Sequence, residues 1–208
     1  MFGGNFQTWK LHSAQDYFMF FAYILAGVLV FWLIAKHMNK QRNHEKAVEK
    51  VSGRLKKICG KPGEVLKNAT LNLPEGKMTF DVVLMDKRGV YLVRTYGWGI
   101  KIYGTPDGAM WRREDAKRKE EFENPLLELK KGAAEITKVM EENGVQSLKV
   151  MPMVVFADNF QTPELYLGYG SFSTTYQELK NWYKKQSGVK EVQYDYDKVS
   201  SIIKELVK

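Results

Sequence analysis

The chain has 208 residues, 44% of them hydrophobic, and a formal net charge of +8. That length suits one domain with an appendage, and a single cysteine excludes a disulfide framework. The charge is concentrated: residues 36–61 hold nine Lys or Arg against two Glu, a net +7, and residues 1–35 are neutral, so 62–208 carry only +1 and lack the footprint of a nucleic-acid binder that is basic throughout.

Residues 1–16 form a short tail of mixed polarity with a Gly pair. Residues 17–35 (YFMFFAYILAGVLVFWLIA) are nineteen positions without a charge, the length a helix needs to cross a bilayer core of roughly 30 Å. A cleaved leader would carry its basic residues first, whereas here they follow the apolar run. The expectation is therefore a single-pass anchor in the cell membrane, with the tail outside and the remainder in the cytoplasm by the positive-inside tendency. The 36–61 segment reads as a basic juxtamembrane helix with an apolar stripe at Val48, Val51, Leu55 and Ile58, suited to anionic lipid. Gly60-Lys-Pro-Gly63 ends it.

Residues 64–73 read as a first strand. Strands at 79–85 and 90–96 then form a hairpin around Asp86-Lys-Arg-Gly89. Arg94 and Tyr96 share a face of the second strand, and antiparallel pairing brings them beside Asp81 at one edge of the sheet. Short strands follow at 100–103 and 110–112, with a turn at Thr105-Pro-Asp-Gly108 between them. Arg112, Arg113, Lys117, Arg118 and Lys119 are the one candidate for a local nucleic-acid patch, but interleaved with Glu114, Asp115, Glu120 and Glu121 they read instead as a solvated loop and helix start. Asn124-Pro125 opens a helix carrying Leu126, Leu129, Ala133, Ile136 and Met140, which ends at Asn143-Gly144. Residues 150–157 form a strand whose Pro152 suits an edge or a strand start. A helix from Thr174 or Thr175 to Gly188, a strand at 189–194 and a helix capped by Asp197 complete the pattern. There is no Gly-rich phosphate loop, metal-spaced Cys/His cluster or Ser-His-Asp arrangement, and His12, His37 and His44 fall in or beside the anchor region.

The hairpin also carries a resemblance. Phe80-Asp81-Val82, Gly89-Val-Tyr-Leu-Val93, Arg94-Thr-Tyr96, Lys101-Ile-Tyr-Gly104, Trp111 and Asn124-Pro125-Leu126 follow one another at the spacing of the nuclease-related domain family. The chain resembles that family, a branch of the restriction-endonuclease-like superfamily, over roughly 45–160. The resemblance implies a mixed α/β fold with an α-β-β-β-α-β core over 62–208, behind one transmembrane helix. It also implies a metal corner built from two acids and a lysine. Asp81 takes the first acidic place, but Arg94 stands at the second and Tyr96 at the lysine; Glu45 sits near the place of a further acid, and Glu128 replaces a glutamine. A guanidinium repels the Mg²⁺ such a corner needs. The expectation is a catalytically inactive, nuclease-like binding or scaffolding module without a cofactor. Its partner would be a protein, a second copy or nucleic acid held without cleavage, and Arg94 would pair with Asp81 beside Tyr96. One alternative is an active Mg²⁺ nuclease with migrated ligands, drawn from Asp81, Asp86, Asp107, Glu45, Glu128 and Lys101. Another is a subunit of a membrane secretion or transfer machine.

Overall fold

The computed structural model describes residues 14–41, 44–98, 100–115, 118–158, 162–186 and 194–207. The chain divides into two units, Met1–Lys40 and Gln41–Lys208. The first is built on helix α1 (Ala14–Gln41). Its stretch Ala14–Lys36 is long and apolar enough to cross a membrane, and none of it is buried against protein. Phe18, Leu25 and Phe31 are each more than 70% exposed, so aqueous solvent would meet apolar side chains on every face.

The second unit begins with α2 (His44–Cys59). Ala47, Val48, Val51, Ser52 and Leu55 are buried, so the segment read above as a juxtamembrane helix is, from residue 44, a layer of the domain. Strands β1 (Gly63–Leu73), β2 (Gly76–Asp86) and β3 (Gly89–Tyr96) follow as an antiparallel meander. The β2–β3 turn requires Gly89: its φ is +142°, and a Cβ there would lie 2.1 Å from the Lys149 carbonyl. After an insertion come α3 (Pro125–Glu142) and β7 (Val150–Phe156), which pairs parallel to β3. This α2-β1-β2-β3-α3-β7 order is the α-β-β-β-α-β core. The sheet runs β1-β2-β3-β7-β9, where β9 is Ser173–Thr175.

Two apolar layers cover the sheet. On one face, Phe80, Val83, Leu92 and Val154 pack against Leu126, Leu129 and Ile136 of α3. On the other, Val82, Leu84, Tyr91, Val93 and Val155 pack against α2 and against Leu179 and Tyr183 of α4 (Leu179–Gln186). At α3 the fit depends on Gly132, where a Cβ would meet the Phe80 ring at 2.7 Å. The last helix, α5 (Tyr196–Leu206), adds Val199 and Ile203 to the α3-side core.

The insertion supplies three strands of a second sheet ordered β6-β5-β4-β8, and the segment after β7 supplies the fourth. The sheet contains β4 (Lys101–Gly104), β5 (Met110–Glu114), β6 (Lys119–Glu123) and β8 (Glu164–Leu167). The charged segment read as a loop and helix start is instead the β5–β6 hairpin. Its alternating signs are cross-strand pairs, with Arg113 opposite Glu120 and Glu114 opposite Lys119; Lys117 lies outside the described residues.

Pro152 lies near the start of β7, as expected: β7 is an interior strand, but β9 pairs only with Val154–Phe156 and leaves the start of β7 uncovered on that side. Two further expectations change. Thr174 and Thr175 end a strand instead of opening a helix; the Thr175 hydroxyl accepts from Glu178 N at 3.2 Å, leading into α4. Asp195, not Asp197, caps α5, accepting from Lys198 N at 3.1 Å. The strand expected at 189–194 and the helix end at Gly188 fall almost wholly outside the described residues.

Candidate functional site

The site forms where β2 parts from β3. Phe80 and Val83 both face α3 while Val82 faces α2, so strict alternation breaks at Asp81. Across β1 the break is matched at Asn68, whose φ of +47° is a conformation Asn tolerates better than most residues. The β1–β2 register passes from Lys67↔Val82 to Ala69↔Phe80 without pairing Asn68 to Asp81, and the β2–β3 register ends at Val82↔Val93. The Asp81 side chain takes over the abandoned ladder position. Its Oδ2 accepts from Thr95 N at 2.6 Å and from Thr95 Oγ1 at 3.1 Å.

Its other oxygen faces two bases. Arg94 Nη1 lies 3.4 Å from Oδ1 and His44 Nε2 lies 3.3 Å from the same atom. Asp81 is 5% exposed in its side chain, Arg94 19% and His44 56%, so the corner opens outward from the carboxylate. Arg94 also donates through Nη2 to Glu128 Oε2 at 2.7 Å and to the Thr79 carbonyl at 3.2 Å. Glu128 comes from the first turn of α3, where the helix N-terminus favours a carboxylate. One guanidinium therefore joins two acids from different elements.

Tyr96 points its ring into an aromatic group, with centroids 4.3 Å from Trp98, 5.6 Å from Phe156 and 5.7 Å from Phe122. Burial pushes its phenol up to about 12; Arg94 opposes the rise, while Asp81, Glu128 and Glu123 add to it. At neutral pH it is an uncharged wall of the corner.

The structure brings together Asp81, Arg94, Tyr96 and Glu128, and Glu45 is exposed in the first turn of α2 beside His44. It does not gather the remaining candidates. Lys101 sits on β4, 3.8 Å from Glu164. Asp107 pairs with Lys130 at 2.8 Å. Asp86 lies at the turn end of the hairpin, accepting from the Tyr183 hydroxyl and from Arg88 N. The corner is also not a lateral edge of the sheet, since β2 and β3 are interior strands. Sequence reasoning passed over two contributors. His44 stands four residues before Val48, so extending the Val48–Val51–Leu55 stripe by one turn places it on the sheet-facing side. Thr95 gave no signal, because its role depends on the ladder break.

A divalent ion needs carboxylate oxygens turned towards it. Here both Asp81 oxygens are engaged, and the Arg94 charge stands between Asp81 and Glu128. Among the described residues, no three His, Cys, Asp or Glu side chains gather as metal ligands. The residues present, as arranged, do not fit a Mg²⁺ site.

Residues 40–157, which hold this splayed hairpin with an acid at its fork and the helices around it, match a family model described as the nuclease-related domain. The chain belongs to the nuclease-related domain family. The match starts just before α2 and ends just after β7, so the family domain includes the helix that brings His44 to Asp81. No curated protein and no solved structure matches the chain.

Proposed function

We propose that the chain holds a nuclease-related domain at the cytoplasmic face of the cell membrane, and that the domain binds a partner without cleaving nucleic acid. The observation that carries this reading is the Arg94 guanidinium lodged between Asp81 and Glu128. It supplies fixed positive charge where a metal-dependent nuclease of this family would hold its cation. The corner still presents a partly open polar surface of paired acids and bases with His44 at its rim, suited to a protein partner, a second copy or nucleic acid held without cleavage. The membrane reading is supported by α1 and by Lys36, Lys40 and Arg42 directly after the apolar run, each basic residue gaining on the order of 1 kcal/mol near an anionic leaflet.

The test is a time course with the full chain in detergent, on DNA and RNA, with Mg²⁺ or Mn²⁺ present. The expected result is no metal-dependent cleavage. A second reading, a metal-dependent nuclease with displaced ligands, draws on two acids, Asp81 and Glu128, joined to one guanidinium at the family's corner. Cleavage that disappears in Asp81→Ala would establish that second reading and end the first.

A further inference from the structure

A basic site lies on the opposite end of the hairpin. Between α2 and α4 runs an open groove of about 680 Å³, within the roughly 300–1,000 Å³ of small-ligand sites. Its lining includes Lys50, Arg54 and Lys57 from α2, Arg88 from the β2–β3 turn, and Lys180 and Lys184 from α4. Glu49 is the one acid lining it among the described residues. This concentration is out of proportion to the near-neutral 62–208 segment that supplies half of the six cations.

The cations are positioned. Lys50, Arg54 and Lys57 recur at i, i+4 and i+7, one stripe about 10 Å long on a helix whose neighbouring stripe is buried. Tyr176 and Tyr183 hold three of them: Lys50 and Arg54 lie 4.8 and 4.6 Å from the Tyr176 centroid, and Arg88 lies 4.1 Å from that of Tyr183. Arg88 also donates to the Tyr183 carbonyl at 2.9 Å, and Arg54 to the Gln177 carbonyl at 3.4 Å. Arg88 stands beyond Asp86, and Asp81 to Asp86 is about 17 Å of strand, so the groove is separate from the Asp81 corner.

We propose that this groove is a binding site for a ligand carrying clustered phosphate groups. Six cations against one acid in the lining leave this concavity positive, and a polyanion both complements that charge and uses the two guanidinium forks. The size of the groove suits a polyphosphorylated small molecule or the headgroup of a polyphosphorylated lipid. Both present the same chemistry to the same side chains.

The experiment titrates the full chain, in zwitterionic micelles, with inorganic tripolyphosphate, and in parallel measures its capture by nanodiscs containing a phosphoinositide bisphosphate in neutral lipid. Lys57→Glu, Lys180→Glu and Lys184→Glu should each weaken binding about tenfold or more. Lys185→Glu, exposed on α4 but outside the groove, should change it little. All four positions are exposed helix surface, and unchanged circular dichroism verifies folding. Tripolyphosphate binding with this pattern assigns a soluble ligand; binding to the nanodiscs alone, with the same pattern, assigns the lipid headgroup. The proposal is overturned if neither probe binds or if Lys185→Glu weakens binding as much as Lys180→Glu. It also fails if the chain binds an oligonucleotide that tripolyphosphate does not displace, which would make the surface a nucleic-acid track.

Discussion

Two oxygens of Asp81 receive four groups: Thr95 N, Thr95 Oγ1, Arg94 Nη1 and His44 Nε2. The Thr95 contacts lie in a fully buried environment, while Arg94 and His44 face outward. This asymmetry predicts unequal losses. Arg94→Ala removes one partner of a mostly buried pair and is expected to cost about 3 kcal/mol, the low end for such a loss, because His44 remains. Asp81→Ala should cost about 1–3 kcal/mol more, since it leaves the Thr95 amide and hydroxyl without their acceptor. The double mutant should lose less than the sum, by about 1–2 kcal/mol. Melts of the full chain in one detergent read the cycle. Additive losses would mean that Asp81 is held by Thr95 alone and that Arg94 belongs to Glu128. Glu128→Ala should cost no more than about 1 kcal/mol, because that carboxylate is half exposed.

Among the elements, α3 is fastened at its start. Asn124 accepts from Leu126 N at 3.0 Å as the N-cap, while its amide nitrogen donates to the carbonyls of Gly108 and Pro106 at 2.7 and 3.2 Å. It thus ties the helix that carries Glu128 to the β4–β5 turn of the second sheet. At an ordinary N-cap Asp serves as well as Asn. Here Asn124→Asp keeps the cap but turns a carboxylate towards two carbonyls in a buried site, so it should cost at least as much as Asn124→Ala, about 2–3 kcal/mol. A thermal melt of Asn124→Asp that matches the parent would show that the cap alone matters. The cap and the apolar spacing of α3 were readable in the sequence, as were β1–β3 and β7, because their burial pattern is local. The second sheet was only partly readable. Its β8 is four residues long, and β9 at the end of the first sheet is Ser-Thr-Thr, so neither carries a period; both are specified by backbone pairing to other strands. β6 has charges where a strand would show apolar alternation, since its partners are the opposite charges of β5. At the site, the Asp81–Arg94–Tyr96 neighbourhood followed from hairpin spacing, whereas the ladder break that turns Asp81 towards Thr95 depends on the Asn68 conformation, which no pattern announces.

At the scale of the whole molecule, the decisive asymmetry is electrical. The flank before the apolar run, residues 1–16, holds Lys10 and Asp16, which cancel, and the flank after it carries a net +7 within 26 residues. Lys and Arg close to a span set its orientation because moving them across the bilayer is costly, while acidic residues have little influence. The expected arrangement is a single pass with residues 41–208 in the cytoplasm. Protease added to intact spheroplasts should therefore leave this unit full length, and the same protease should degrade it once the membrane is permeabilised. Replacing Lys36, Lys40, Arg42 and Lys46 with Gln removes four of the nine basic residues and should let a fraction of chains invert, seen as new fragments in the intact sample. Digestion of the parent chain from outside would reverse the orientation. It would also place the Asp81 corner and the basic groove on the extracytoplasmic side, where cytoplasmic nucleic acids and inner-leaflet headgroups do not reach them.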